Sequence, residues 1–172
     1  QDLHAVNWAT VTIHPVVPNL YTLMGLFQQV ATWFTVLDLK DAFFLSDWHQ
    51  LVSPFLHFNG KEATQLTWTK LPQGFKNSLT IFEEALASNL KAYTLPNDNC
   101  ALFQYVDDLL LAAPTQEDCF QGTQDLLHLL YKVSRKKAQI CSRRVQYLGF
   151  EVSQGEQWLG SERKKAVCAL PT

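Results

Sequence analysis

Two adjacent acids interrupt an otherwise apolar stretch. Ala101 to Val106 leads into Asp107-Asp108, and Leu109 to Ala113 follows. Both runs have strand length and strand composition, so the segment is expected to fold as a hairpin with the acids at its tip. A third acid, Asp38, follows Thr35-Val36-Leu37 within the β-branched and aromatic stretch Thr32 to Leu39, a further expected strand. Ionised carboxylates beside such runs need a partner, because removing a charge from water costs several kcal/mol. Adjacent aspartates also repel each other. A divalent cation relieves both penalties, and an all-oxygen donor set suits Mg²⁺ or Mn²⁺ over zinc. Two such ions about 4 Å apart can clamp the attacking and leaving oxygens of a phosphoryl transfer. The same residues also fit a plainer reading. Asp-Asp at a hairpin tip is ordinary turn chemistry, and Asp38 fits a strand end with a basic partner.

The rest of the chain reads as short alternating elements. Residues 1–18, with Pro15 and Pro18, form an irregular entry, and Asn19 to Val30 fits a short helix with Leu20, Leu23, Met24 and Phe27 on one face. Pro54 to Phe58 and Gln65 to Leu71 read as strands around the turn dipeptide Asn59-Gly60. A helix is expected near Ser78, with Thr80 and Glu83 as a capping box and Phe82, Leu86, Leu90 and Tyr93 at helical spacing. Another follows Thr115, whose hydroxyl can cap the turn ending at Asp118, with Phe120, Leu126, Leu127 and Leu130 as its apolar face. Tyr147 to Val152 and Gln157 to Leu159 read as a last hairpin. This order predicts an α+β fold, an antiparallel sheet with helices packed on one face.

The 172 residues, 47% of them apolar, fit a single domain with a real core. Cys100, Cys119, Cys141 and Cys168 are widely spaced, which argues against a zinc site and for isolated thiols in a reducing compartment. No signal-peptide pattern opens the chain, and the apolar run Leu109 to Ala113 is far too short to span a bilayer. Charge is divided unevenly. Residues 1–131 carry five Lys/Arg against thirteen Asp/Glu, and residues 132–172 carry nine against three. A basic C-terminal third suits a polyanion, and equally a solvated surface that binds nothing.

Three segments in order carry a family resemblance. Tyr105-Val106-Asp107-Asp108, continued by Leu109-Leu110-Leu111-Ala112, is similar to the YxDD hairpin of reverse transcriptases. Residues 36–44, Val-Leu-Asp-Leu-Lys-Asp-Ala-Phe-Phe, resemble that family's first catalytic strand, and residues 71–78, Leu-Pro-Gln-Gly-Phe-Lys-Asn-Ser, its LPQGFKNS segment. The match resembles the gammaretroviral, murine leukaemia virus-like type and runs from Gln1 to about Leu159. The resemblance implies one reverse transcriptase domain over residues 1–172: palm and partial fingers, without a thumb. It implies an RNA-directed DNA polymerase that uses two Mg²⁺ or Mn²⁺ ions, deoxynucleoside triphosphates and an RNA or DNA template with its primer. A cytoplasmic or virion-associated setting would follow.

The resemblance also implies residue roles. Asp38 and Asp107 would bind both ions and Asp108 would support them, with the backbone of Leu39, Asp41 and Ala42 near the metal and the incoming triphosphate. Phe43 would be the steric gate against a ribose 2′-hydroxyl, though its type also fits a core aromatic. Gln73 and Gly74 would line the nucleotide and template pocket, where a lone glycine also fits a turn. Tyr105 and Val106 would touch the primer end. Tyr147-Leu148-Gly149-Phe150 resembles the primer grip, and also fits a plain strand with a glycine bend. Lys136, Lys137, Arg143 and Arg144 are candidates for phosphate contacts, which would make binding salt-dependent.

Departures from the family pattern are local. Leu79 stands where proline is usual, residues 45–50 differ, the hairpin at Asn59-Gly60 is shorter, and no glycine separates the helix ending near Leu130 from Lys136 and its neighbours. The missing glycine predicts strain at that helix end. Such changes around intact acids suggest an endogenous retroviral element. The resemblance places triphosphate-gripping fingertip residues ahead of Gln1 and the thumb beyond Thr172. The alternative expectation is therefore a catalytically inactive remnant that at most binds nucleic acid.

Overall fold

The computed structural model describes residues 2–14, 31–39, 57–59, 65–67, 71–130, 133–154, 156–160, 164–165 and 168. The chain forms two compact units, Gln1–Val16 with Asp41–Ser88, and Val17–Lys40 with Asn89–Thr172. The helix expected over Asn19 to Val30, and Asp41, Ala42, Phe43 and residues 45–50, lie outside the described residues.

In the first unit, α1 (His4–Ala9) precedes the antiparallel pair β2 (His57–Asn59) and β3 (Gln65–Thr67), and α2 (Ser78–Leu90) follows. Asn59 pairs with Gln65, so it is a strand residue and not the first residue of a two-residue turn. Helix α2 starts at Ser78 as expected, with Phe82 and Leu86 buried. Thr80 does not cap it. It lies inside the helix, with its hydroxyl donating to the carbonyl of Ile13 at 3.2 Å. The segment ahead of α2 is held by two asparagines. Asn7 donates to Gly74 O at 2.8 Å and accepts from Lys76 N at 2.9 Å. Asn77, only 3% exposed, accepts from Ile13 N at 3.1 Å and donates to Val11 O at 2.8 Å. Sidechain amides replace a regular ladder here, which is how irregular backbone satisfies its polar groups.

The second unit is built on a four-stranded antiparallel sheet in the order β4-β5-β1-β6, from β4 (Ala101–Tyr105), β5 (Asp108–Ala113), β1 (Trp33–Asp38) and β6 (Gln139–Ser142). Side chains alternate along a strand. Phe34, Val36, Leu110 and Ala112 therefore share one face, and Thr35, Leu37, Leu109 and Leu111 share the other; all eight are buried. Such doubly buried strands must be apolar throughout.

The second face carries α3 (Gln116–Leu129), capped by Thr115, whose hydroxyl accepts from Asp118 N at 3.1 Å. The buried stripe of α3 is Cys119, Gly122, Thr123 and Leu126. Phe120 and Leu127, expected on that face, are exposed. The helix docks through small residues that allow a close approach to the sheet, so the bulky pair turns outward. At its end the C-cap Leu130 is extended (φ −87°, ψ 133°) and its N–H donates to the carbonyl of Leu126; residues 131–132, where the family's glycine would fall, lie outside the described residues.

The first face is covered by a second sheet, a meander of β7 (Arg144–Tyr147), β8 (Phe150–Ser153) and β9 (Glu156–Leu159). Val145, Tyr147 and Val152 pack with Phe34, Val36, Leu110 and Ala112 in one core. Tyr147 to Val152 is thus not one strand. Tyr147 pairs with Phe150 across a two-residue turn, with φ 51° at Leu148 and 80° at Gly149. Positive φ at both turn residues matches the twist of a tight hairpin, and glycine takes it without a steric cost. Strand β6 was not foreseen. It carries a bulge against β1 and positive φ (46°) at Cys141.

Thr35 is the polar tie between this sheet and α3. Its hydroxyl oxygen stands 2.8 Å from the Thr123 hydroxyl and 3.4 Å from Cys119 Sγ, and accepts from Cys141 N at 3.0 Å. Thr35→Val keeps the shape but leaves the Cys141 N–H, which is partly buried, without its acceptor. Urea unfolding is expected to show a loss of about 2 kcal/mol.

Candidate active site

The acids gather at one end of the four-stranded sheet because β1 ends where β5 begins. Asp38 and Asp108 are register partners. The Leu39 N–H donates to Asp107 O at 2.9 Å. That makes 39 and 107 a hydrogen-bonded pair, so 38 and 108 form the neighbouring, non-hydrogen-bonded pair. In such a pair the Cβ atoms are about 4.5–5.5 Å apart, on the same face. Asp38 and Asp108 thus present their carboxylates side by side, on the face that also carries Val36 and Leu110.

The hairpin tip differs from expectation by one residue. Tyr105 pairs with Asp108, so the two-residue turn is Val106-Asp107 and Asp108 is already a strand residue. Val106 has φ 54°. A β-branched residue in left-handed backbone is strained, by about 1–3 kcal/mol, and persists only where its surroundings enforce it. The β4-β5 ladder and the Leu39–Asp107 bond provide that enforcement.

Charge repulsion is visible at Asp108. Burial, then the neighbouring charges of Asp107 and Asp38, push its carboxyl up to about 6, while Lys137 works the other way. Lys137 is the basic partner of Asp38: its Nζ donates to Asp38 Oδ2 at 2.7 Å. From sequence alone Lys137 stands only as a candidate phosphate contact. Its place follows from the unforeseen β6, whose antiparallel pairing brings the turn before Gln139 beside the end of β1. Ser134 N donates to Asp38 O at 2.8 Å and Leu39 bridges Val133, fixing that turn.

The other expected site residues fall into two groups. Tyr105, Val106, Tyr147, Leu148 and Gly149 belong to the same unit as the acids. Tyr147 is buried, and its hydroxyl donates to Asp108 O at 3.4 Å. Gly149 is exposed, and its carbonyl accepts from Gly160 N at 3.0 Å. Gln73 and Gly74 lie in the first unit, both exposed. Gly74 has φ 87° with open space around its Cα, so backbone conformation is what calls for glycine there. Of the four basic candidates, Lys137 pairs with Asp38, Arg144 with Glu151 at 3.1 Å, and Arg143 lies 5.0 Å over the Trp33 ring; Lys136 is exposed.

Among the described residues, no three His, Cys, Asp or Glu side chains already converge on one point for a metal ion. The donors still fit a magnesium-type cation. Such an ion keeps several waters and takes one or two carboxylates together with substrate phosphates. The repulsion felt by Asp108 is what a dication would relieve.

Burial first, and that repulsion second, make stability depend on pH. With its folded-state value raised from the ordinary 3.8 to about 6, Asp108 keeps a proton in the folded chain that the unfolded chain has released. Stability therefore falls as pH rises through that window. Asp108→Asn removes the penalty. In chelator-containing buffer at pH 7.5 it is expected to unfold at higher urea than the parent, by about 1 kcal/mol after allowance for solvent screening. The gain disappears near pH 4. A variant less stable than the parent at pH 7.5 would contradict a charge penalty at Asp108 from burial and repulsion.

The family model for reverse transcriptase (RNA-dependent DNA polymerase) matches residues 1–152. The chain is 49% identical over 180 residues to the Gag-Pol polyprotein of Gibbon ape leukemia virus, covering 99% of this chain and 11% of the relative. It is 47% identical over 181 residues to that of Koala retrovirus, covering 100% and 11%. It is also 47% identical over 180 residues to the Pol polyprotein of Feline endogenous virus ECE1, covering 99% and 17%. These alignments are longer than the chain, so the relatives carry residues that it lacks. Among solved structures, the foamy viral protease-reverse transcriptase in complex with RNA/DNA hybrid is similar, with a TM-score of 0.69 and 26% identity over 99% of this chain and 23% of that one. A complex with ds DNA gives 0.70 and 27%, over 99% and 30%. The chain spans a small part of each of these proteins. Among the described residues, no helix is long and apolar enough to cross a membrane.

Proposed function

This chain belongs to the reverse transcriptase family, and on that premise we propose that it is the palm of a gammaretrovirus-type RNA-directed DNA polymerase, with Asp38, Asp107 and Asp108 as its metal-binding carboxylates. One observation carries the reading: the Asp38–Asp108 cross-strand pair, with Asp107 beside it at the turn.

When bound, a pair of divalent ions supplies activation of the primer 3′-hydroxyl and neutralises charge on the departing pyrophosphate. The chain's own residues position and exclude. Asp38 and Asp107, with the backbone of Leu39, would hold the ions, and Asp108 would add charge. Tyr147 steadies Asp108 through its backbone carbonyl. Tyr105 and Val106 meet the primer end, and the turn Leu148-Gly149 presents backbone to it. Asp41, Ala42 and Gln73 contact the incoming deoxynucleotide, and Gly74 the template. Phe43 is assigned by the family resemblance as the gate that would select deoxynucleotides over ribonucleotides. The partners are a primed RNA or DNA template and deoxynucleoside triphosphates, in keeping with relatives solved on RNA/DNA hybrid and ds DNA. Origin in a viral polyprotein favours a virion-associated or cytoplasmic setting. The test is Mg²⁺- or Mn²⁺-dependent primer extension on an RNA template. Extension that survives Asp107→Asn would refute the assignment.

The second reading, a remnant that only binds nucleic acid through its basic third, gains little support. Three of its four candidate cations are engaged within the chain. Salt-sensitive binding without extension, lost when Lys136, Lys137, Arg143 and Arg144 become Ala, would favour it.

A further inference from the structure

We propose that Lys137 is a resident counter-ion of the acidic site, a positioning residue that a divalent ion must displace from Asp38 in order to bind. The inference rests on the metal-site reading of Asp38, Asp107 and Asp108 and adds an occupant to it.

The geometry is specific. Lys137 Nζ donates to Asp38 Oδ2 at 2.7 Å. With the ammonium on that oxygen, an approaching dication meets a like charge at contact distance and a carboxylate that is already partly neutralised. The ammonium also acts on the whole cluster. Asp38, Asp108 and Asp107 each raise the Lys137 pKa, and Lys137 in turn lowers that of Asp108. Three carboxylates held near one another with no cation would repel strongly, and one ammonium removes part of that repulsion.

The two partners differ in freedom. The Asp38 side chain is 15% exposed and that of Lys137 is 68% exposed. Asp38 is fixed by the β1-β5 register, whereas Lys137 is an ammonium on a flexible four-carbon stem. When a dication competes for Asp38, the lysine is the member that can leave, swinging into water. Its backbone stays in place, because Ser134 N is bonded to Asp38 O and both Lys137 N and Ala138 N are bonded to Ser134 O. The ammonium therefore remains tethered near the site and returns when the metal departs. Lysine and metal are linked by competition, so removing one must strengthen the other.

The experiment titrates Mn²⁺ into the chain by calorimetry and by electron paramagnetic resonance, without nucleotide or primer. Lys137→Met keeps the stem and removes the charge; it is expected to bind Mn²⁺ roughly three- to fivefold tighter than the parent, the scale of one partly exposed ion pair. Lys137→Arg retains a counter-ion and should bind as the parent does. In chelator, Lys137→Met should melt earlier than the parent, and saturating Mn²⁺ should close that gap. Equal or weaker Mn²⁺ binding by Lys137→Met, with binding still lost in Asp38→Asn, would overturn the counter-ion role and leave the metal site standing. Mn²⁺ binding unchanged in Asp38→Asn would overturn the site and this proposal together. If Lys137→Met proves poorly folded, the Lys137→Ala chain measured the same way decides between these outcomes.

Discussion

Asp38→Asn is expected to reduce primer extension on an RNA template by about a thousandfold or more, the scale of losing roughly 4 kcal/mol of transition-state stabilisation. The substitution preserves size, so the β1-β5 register should survive and the melting temperature should change little. Asp38 pairs across the sheet with Asp108 and lies in the strand whose next residue, Leu39, holds the Asp107 carbonyl. Removing its charge takes away one of two facing carboxylates, which polar packing elsewhere cannot replace. The assay compares this segment with one embedded in a chain as long as its polyprotein relatives, because positioning of template and triphosphate makes up most of phosphoryl-transfer catalysis. The embedded form should extend a primer with Mg²⁺ or Mn²⁺, and the asparagine variant should not. Comparable extension by both would remove Asp38 from the chemistry.

Leu110→Ala should be the most damaging single truncation in the core. Leu110 is fully buried between the two sheets, in a cluster with Phe34, Val36, Val145, Tyr147 and Val152. Loss of its isobutyl group leaves a cavity that two packed sheets cannot collapse to fill, at a cost of about 3–4 kcal/mol. Against the 5–15 kcal/mol typical of a whole domain, that is a large fraction. The cavity also lies two residues from Asp108 on the same face, so extension should fall at temperatures where the variant is still folded. Leu127→Ala is the contrasting control. Helical spacing suggested Leu127 as a core residue, but it is 37% exposed. Its truncation is expected to cost less than about 1 kcal/mol. Urea midpoints for the two variants would separate them. Similar losses would mean that α3 presents a different face to the sheet.

Much of the site was legible because its signals are local. Acids flanked by apolar β-type runs announce a hairpin and a strand end, and both formed at Asp107-Asp108 and Asp38. The Thr115 cap lies three residues from the Asp118 N–H that donates to it, and it formed as expected. Local signals mislead wherever burial depends on a distant neighbour. Helical spacing favoured Phe120 and Leu127, yet close approach to the sheet selected Cys119, Gly122 and Thr123. The bent run Tyr147 to Val152 read as one strand, because nothing local distinguishes a glycine within a strand from the tip of a tight hairpin.

By itself the sequence determined the acids, the strand ahead of Asp38, the acidic hairpin, the helix beginning at Ser78 and the family to which all of them belong. Each of these is encoded by alternation, capping or motif within about a dozen residues. Tertiary structure alone decided that Asp108 stands in a strand opposite Asp38, that a second sheet closes the face beneath them, and that Lys137 reaches Asp38 from 99 residues away. The physical reason is that strand pairing joins backbones far apart in the chain. Which register wins depends on the whole buried surface, and no short stretch of residues contains that information.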